Sequence, residues 1–349
     1  MLRRHLVKAA SAIALLASTG LAQAFEKVVI QNGSPVPAAA YVDYYVAQEA
    51  GFFAEEGLDV AVRYAQGAPQ AAQITASGGA DLGQFAFEPY LYGYAQGMRG
   101  KFIFNYSNHN IFFMAVPVDS PARSVADLAG KTIGVSNMGS GSLIVARSML
   151  RAAGLKSDPS VFLPVGVGDS ALQALKSGKV QALSLWDGGY AALERAGVKL
   201  RYLHHPRIGF IGSDGLFVAD SAYDRVKDRA VGILRALVKA RIFMRENPEA
   251  ALRIYWKANP ASRQGATDAD ALRTGMAELS FMMNLGDETP IDQIGRFDLD
   301  KLTNYLAVMK EEGVLTSDLS AKALATNELM DRVGPIDAQA VRAKARGWK

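Results

Sequence analysis

The chain has 349 residues, half of them hydrophobic, and its 38 lysine and arginine residues nearly balance 34 aspartate and glutamate residues. This length can bury two hydrophobic cores, and the near balance of charge does not indicate a nucleic-acid partner. The complete lack of cysteine excludes disulfides, thiolate metal sites and cysteine nucleophiles.

The first 24 residues have the pattern of an export signal. Three basic residues precede an apolar run over 9–21 that is too short to span a membrane, and Ala22-Gln23-Ala24 is a small-residue cleavage motif. We therefore expect a mature protein that begins at Phe25 and is soluble in the periplasm, without a lipid anchor. The paired arginines near the start fit either general or twin-arginine export.

Short apolar strands alternate with helices between residues 28 and 218. Strands are predicted at 28–31, before Tyr64, and at 82–85, 102–104, 112–116, 131–135, 161–165, 183–186 and 215–218. Helices are predicted at 41–50, 70–77, 142–153 and 170–177. Because glycine or proline stands at the junctions, this alternation predicts an α/β protein with mainly parallel sheets.

Beyond Asp220 the pattern changes to amphipathic helices. Apolar residues recur at helical spacing over 226–244, and this helix stops at Asn247-Pro248. Further helices are predicted at 248–255, 268–283 and 299–312. Their outer faces are charged and carry no concentrated site chemistry, so we expect a structural role for them.

One short sequence motif occurs twice, about a hundred residues apart. Segments 76–83 and 175–182 both end a helix at a Ser-Gly pair and lead into a short apolar strand. The first strand ends at Phe87-Glu88 and the second at Trp186-Asp187. Because ligands bind at the carboxyl ends of parallel strands, two such units predict two lobes that face one cleft.

Four segments together resemble the periplasmic solute-binding proteins of ABC importers for nitrate, sulfonates, taurine and thiamine-pyrimidine precursors. They are 47–60, 77–83, 127–135 and 174–182 followed by Trp186, and they occur in the order found in that family. One departure is Gln181, which stands where the family usually has an aspartate. We expect this residue at the amino end of its strand, away from the cleft.

The resemblance implies a two-lobed α/β fold, the type II periplasmic-binding-protein fold, in which each lobe is a mainly parallel sheet flanked by helices. After a signal peptide at 1–24, lobe 1 would comprise 25–117 plus 215–349, with the C-terminal helices, and lobe 2 would comprise 118–214. The implied function is capture of a small organic solute between the lobes and its delivery to an ABC permease with its ATPase. The protein would act as a monomer.

The loops at the strand ends supply the candidate ligand contacts. Lobe 1 would contribute Pro37, Tyr41, Gly67, Phe87, Glu88, Asn108 and His109. Lobe 2 would contribute Asn137, Gly139, Ser140, Gly141, Ser142, Trp186 and Asp187. We expect Trp186 and Phe87 to cover an apolar face of the ligand, whereas Phe85 is expected in the core.

Two features of these loops have alternative explanations. The run 139–142 can bind an anion at a helix start, or its serine can simply cap the helix. Glu88 and Asp187 can bind the ligand or cap neighbouring helices. If they bind it, the lack of lysine or arginine in these loops predicts a ligand with N–H donors or a cationic nitrogen, such as an aminopyrimidine, another heterocycle or taurine.

The sequence offers no metal site, no cofactor motif and no catalytic constellation, so we do not expect an enzyme. The alternatives to a transport protein are an exported enzyme and a ligand sensor built on the same two-lobed fold. Neighbouring permease genes would favour transport, and turnover of a solute would favour the enzyme.

Overall fold

The structure is a computed structural model that describes residues 25–37, 39–107, 109–138, 140–209, 211, 214–263, 265, 267–283 and 289–348. The predicted signal segment 1–24 lies outside the described residues. In the described part, the strands are β1 (Glu26–Asn32), β2 (Leu58–Tyr64), β3 (Leu82–Ala86), β4 (Gly100–Asn105), β5 (Phe112–Pro117), β6 (Ile133–Val135), β7 (Phe162–Pro164), β8 (Ala182–Trp186), β9 (Leu200–Leu203) and β10 (Asp214–Ala219).

The helices alternate with these strands and then dominate the C-terminal third. They are α1 (Val42–Glu49), α2 (Phe52–Glu55), α3 (Ala68–Ala76), α4 (Phe87–Ala95), α5 (Gly141–Ala152), α6 (Asp169–Lys176), α7 (Asp187–Arg195), α8 (Asp220–Glu246), α9 (Pro248–Ala258), α10 (Asp268–Met283), α11 (Leu299–Glu311), α12 (Ala321–Leu324), α13 (Glu328–Asp331) and α14 (Ala338–Arg346). The sequence analysis did not predict β9, α2, α4, α7 or the last three helices, α12, α13 and α14.

The strands form two five-stranded sheets of the same design. The first has the order β2-β1-β3-β10-β4, and the second has the order β7-β6-β8-β5-β9. In each sheet four strands run in the same direction, and the fourth in the order runs antiparallel to both of its neighbours. We call the first sheet, with the helices packed on it, the first half of the molecule. The second sheet with its helices is the second half.

The chain passes between the two halves twice. The chain leaves the first sheet after β4 and enters the second at β5, and it returns between β9 and β10. The predicted boundary after residue 117 left β5 in the first lobe, whereas Phe112 pairs with Trp186 in the second sheet. This boundary was wrong because an apolar run alone does not reveal which distant strand it pairs with.

The repeated sequence motif, at 76–83 and 175–182, forms equivalent structures in the two halves. Asp81 accepts a hydrogen bond from the backbone N–H of Val29 at 2.9 Å, next to the start of β3. Gln181 accepts one from the N–H of Thr132 at 3.0 Å, next to the start of β8. An amide oxygen thus replaces a carboxylate oxygen in the same role, at the amino end of the strand as predicted.

The C-terminal helices contact both halves, which differs from the predicted packing on lobe 1 alone. Helix α8 lies along α1, β4 and β10, whereas α10 packs on α7 of the second half. After the end of α11, Glu312 pairs with Arg151 of α5. One apolar cluster contains Phe85 from the first sheet, Met114 from the second and Tyr305 from α11, so the halves share a core.

Within the part of the chain that the structure describes, no helix is both long enough and apolar enough to cross a bilayer.

Candidate functional site

Two buried carboxylates begin equivalent helices at equivalent strand ends. Helix α4 follows β3 directly and carries Glu88 in its first turn, and α7 follows β8 directly and begins with Asp187. Only 3% of Glu88 and 5% of Asp187 is exposed. The positive end of a helix dipole favours an acid in the first turn, which explains part of the placement. It does not remove the cost of burying the charge.

Glu88 lies where the two halves meet. Its Oε1 accepts a hydrogen bond from the hydroxyl of Tyr305 at 2.7 Å, while its buried Oε2 has no partner among the described residues. Its carboxyl carbon is 3.3 Å from the position that a Cβ on Gly141 would take, at the start of α5. Burial, opposed by the Tyr305 hydrogen bond, raises the pKa of Glu88 to about 7.

Asp187 occupies the corresponding position in the second half. Its Oδ1 accepts a hydrogen bond from the N–H of Gly188 at 2.6 Å, and its Oδ2 lies 3.9 Å from Nε2 of His109. The other ring nitrogen of His109 is 2.8 Å from the hydroxyl of Ser107. Burial is the main cause that raises the pKa of Asp187 to about 7, and the charge of Asp214 adds to it.

Asp214 is a third acid of the site, and the sequence analysis missed it. It begins β10 and stands opposite Ala86, the last residue of β3. The analysis considered only the carboxyl ends of parallel strands, but an antiparallel strand brings its amino end to the same edge. An acid directly before the apolar run 215–218 was the signal that could have identified it.

A chain of side-chain hydrogen bonds holds Asp214 in place. Asn32 Nδ2 donates to Gln84 Oε1 at 2.5 Å, and Gln84 Nε2 donates to Asp214 Oδ2 at 3.2 Å. The other oxygen, Oδ1, is buried and has no partner among the described residues. Burial raises the pKa of Asp214 to about 7 against the opposing hydrogen bond from Gln84.

The phenol of Tyr41 links the acids of the two halves. It lies on the helical turn Ala39–Tyr41 just before α1. Burial is the first cause that raises its pKa, followed by the negative charges of Asp214 and Asp187, while a hydrogen bond with Asn32 acts in the opposite direction. Acids from both halves therefore lie near one hydroxyl group.

The loop before α5 supports the capping alternative for its serine. The hydroxyl of Ser140 accepts a hydrogen bond from the N–H of Leu143 at 3.4 Å and lies 2.9 Å from that of Ser142. Ser142 is fully buried. The carboxyl group of Glu88 already stands against Gly141 at this helix start, so its negative charge disfavours a bound anion there.

Phe87 lies in the core, and this position argues against the predicted ligand contact. Its ring is fully buried, with centroids 4.5 Å from that of Phe102 and 5.8 Å from that of Tyr305. Its neighbour Glu88 is buried as well and accepts its hydrogen bond from the same Tyr305. Phe85 also lies in this aromatic cluster, as predicted. Trp186, by contrast, is only half-buried at the end of β8.

The remaining candidates lie on the predicted loops. Pro37 and Gly67 are half-buried, and Gly67 precedes α3 with a φ of 120°, which favours glycine. Asn137 is exposed, and its carbonyl accepts a hydrogen bond from Ser140 at 2.9 Å. The predicted contacts Asn108 and Gly139 lie outside the described residues.

Arg241 is a buried cation behind these acids. It donates a hydrogen bond to Asp43 at 3.0 Å, and Asp43 is fully buried. Its charge lowers the pKa of Asp214 as a lesser cause than burial. Among the described residues, no three histidine, aspartate or glutamate side chains are grouped so that they could hold a metal ion.

Comparison with known proteins defines the class. Residues 39–251, more than half of the chain, match the family described as NMT1/THI5 like. The chain belongs to this family. It is 28% identical over 232 residues to a formylaminopyrimidine-binding protein of Halalkalibacterium halodurans, and this match spans 62% of the chain and 66% of that protein, just under two thirds.

Two further matches cover more of the molecule. A riboflavin-binding protein, RibY, of Chloroflexus aurantiacus is 24% identical over 306 residues, which span 85% of this chain and 84% of that protein. The periplasmic aliphatic sulphonate binding protein SsuA of Escherichia coli has a similar structure with a TM-score of 0.65. It is 17% identical and covers 88% of this chain and 99% of that one, so this likeness establishes the fold alone.

Proposed function

We propose that this protein is the solute-binding component of an ABC importer. It captures a small organic solute between its two halves and delivers it to a membrane permease with its ATPase. The observation that carries the proposal is the convergence of Glu88 and Asp187, the equivalent strand-end acids of the two halves, with Asp214. The two sequence relatives named above are binding proteins, which supports binding without turnover.

The chemistry of the site favours a nitrogenous solute. A buried carboxyl group that lacks a partner is costly, and an N–H donor or a cationic nitrogen on the ligand would supply one. Trp186 and Tyr41 are the aromatic side chains available to cover a ring. The names of the two relatives, which refer to a formylaminopyrimidine and a flavin, both describe nitrogen heterocycles.

Closure of the two halves on the solute would make capture selective. The chain passes between the sheets only twice among the described strands, after β4 and after β9, which is the connectivity of a hinge. A near-complete switch to the closed form requires the ligand to favour that form by about 5.5 kcal/mol. Contacts from acids in both halves can contribute to this preference.

We further propose that residues 1–24 direct export and that the mature protein works in the periplasm as a monomer. The signal-like pattern of the sequence supports this location, which is also where a solute-binding protein meets its permease.

Native mass spectrometry of the protein purified from its own cells tests the proposed function. A thermal-shift screen of aminopyrimidines, flavins and alkanesulfonates complements it. We expect a co-purified small molecule, or a compound that raises the melting temperature by several degrees at saturation. A protein that carries no solute and is stabilised by none of these compounds would contradict the proposal, and so would turnover of one of them.

A further inference from the structure

The hydrogen bonds that lead to Asp214 form a chain in which every donor points toward the carboxyl group. The backbone N–H of Ser34 donates to Asn32 Oδ1 at 2.8 Å, Asn32 donates to Gln84, and Gln84 donates to Asp214 Oδ2. Each amide is oriented by the donor before it, so the chain ends on an acceptor. The last acceptor, Asp214 Oδ1, is buried without a partner among the described residues.

The other two acids repeat this arrangement. Glu88 uses Oε1 to accept from Tyr305 and leaves Oε2 buried and unpaired, and Asp187 uses Oδ1 to accept from Gly188. The charge of Asp214 raises the pKa of both Glu88 and Asp187, so Asp214 interacts electrostatically with both other acids. Glu88 and Asp214 thus each have one oxygen held by a protein donor and the other without a partner among the described residues, whereas Asp187 Oδ2 faces His109.

The charged and titratable groups around Asp214 do not balance it. Arg241 is hydrogen-bonded through Nε to the buried carboxylate of Asp43, and its Nη2 is buried without a partner among the described residues. The phenol of Tyr41 is a weak acid at neutral pH. His109 lies beside Asp187. In the described part of the site, hydrogen-bond acceptors without a partner therefore outnumber donors without a partner. A bound oxyanion would bring further acceptors and no donor.

We propose that Asp214 determines the ligand class of this site, because its Oδ1 is a fixed acceptor for an N–H group of the solute. The inference deepens the proposed function and rests on it. The site selects a ring compound that carries a protonated or N–H-donating nitrogen, and it rejects a sulfonate of the same size. The chain would then differ in ligand charge from the sulphonate-binding protein whose fold it shares.

The substitution Asp214→Asn tests this directly. Because Gln84 Nε2 must keep an oxygen as its acceptor, the new amide places its NH2 group where Oδ1 stands. The free position changes from acceptor to donor while shape and volume are kept. The matched control is Asp224→Asn, since 90% of the Asp224 side chain is exposed on α8.

The probes are benzamidine, benzamide and benzenesulfonate, which attach a cationic, a neutral and an anionic group to the same ring. Affinities are measured by isothermal titration with the full mature protein. We expect benzamidine to bind best and benzenesulfonate worst. Asp214→Asn should weaken benzamidine by about tenfold or more and strengthen benzenesulfonate, a reversal that loss of packing alone would not produce. The control variant should keep the original order.

Two results would overturn the inference. One is benzenesulfonate binding as tightly as benzamidine to the unsubstituted protein, or benzamidine not binding at all. The other is an unchanged order of affinities in Asp214→Asn when the variant melts cooperatively. Either result leaves the proposed function standing if the native protein still carries a solute, whereas an empty native protein that no screened compound stabilises would contradict that function itself.

Discussion

The carboxyl carbon of Glu88 lies 3.3 Å from the point where a Cβ atom on Gly141 would stand. Glu88 belongs to the first turn of α4 in the first half, and Gly141 is the first residue of α5 in the second half. The two helix starts thus approach each other with no side chain on the glycine. This contact makes the junction of the halves sensitive to small changes in volume.

Gly141→Ala should therefore loosen the junction. The added methyl group would also stand 2.6 Å from Cε2 of Phe112, closer than carbon atoms approach, so the ring or the helix must move. We expect a loss of about 1–3 kcal/mol in the free energy of unfolding. Chemical denaturation measures it, with Gly347→Ala as the control, where the nearest atom would be an ordinary 3.4 Å away. Equal losses in both variants would contradict the prediction.

The unliganded protein should lose stability as the pH rises from about 4 to about 7. The pKa values of Glu88, Asp187 and Asp214 are each raised to about 7 in the folded state, from ordinary values of 4.5, 3.8 and 3.8. In that window these three groups bind more protons in the folded state than in the unfolded state, so their contribution to the free energy of unfolding falls with increasing pH. His205, whose pKa burial lowers to about 4, offsets part of this fall. Below the window both states are protonated, and above it both are ionised.

Glu88→Gln should flatten this pH dependence, because the amide stays neutral and its oxygen can still accept from Tyr305. Denaturation at about pH 5 and about pH 8 measures the difference in unfolding free energy between the two conditions. The exposed substitution Asp224→Asn should leave the pH dependence as it is. A Glu88→Gln protein with the full original slope would show that Glu88 ionises normally.

Arg151→Met should weaken the attachment of α11 to the second half. The side chain of Glu312 is 3% exposed, so loss of its partner leaves a buried carboxylate without its cation. We expect a cost of about 1–2 kcal/mol, less than for a fully buried pair because 41% of the Arg151 side chain is exposed. Thermal denaturation measures it. Arg273→Met removes an exposed ion pair with Asp270 and should change the stability much less.

Trp186→Phe should remove most of the change in tryptophan fluorescence that follows ligand binding. Trp186 is half-buried at the end of β8 beside Asp187, whereas Trp256 lies in the core of the first half and the half-buried Trp348 packs against that core. A ring stacked on Trp186 would quench or shift its emission. Titration of the co-purified solute measures this, with Trp348→Phe as the control. A full fluorescence response in Trp186→Phe would place the ligand elsewhere.

Much of the site could be predicted from local sequence patterns, and the errors in that prediction share one cause. The two Ser-Gly motifs and the apolar runs after them predicted β3 and β8, and with these strands the acids Glu88 and Asp187 that follow them. Phe87 and Glu88 are adjacent, however, and only packing decides that both are buried against Tyr305, with Phe87 in the aromatic cluster. Asp214 was missed because its place beside Ala86 depends on the antiparallel insertion of β10 into the first sheet.

The sequence by itself determined the α/β class, the two similar units and the family resemblance, because these depend on short-range periodicity and on motifs that a chain carries locally. The tertiary structure alone decided that β5 and β10 join their sheets antiparallel, that α10 and α11 contact the second half, and that three acids influence one another. These features arise from pairings between residues as far apart as Glu88 and Tyr305, or Gln84 and Asp214. Such pairings follow from burial and hydrogen-bond satisfaction over the whole molecule, which no local pattern contains.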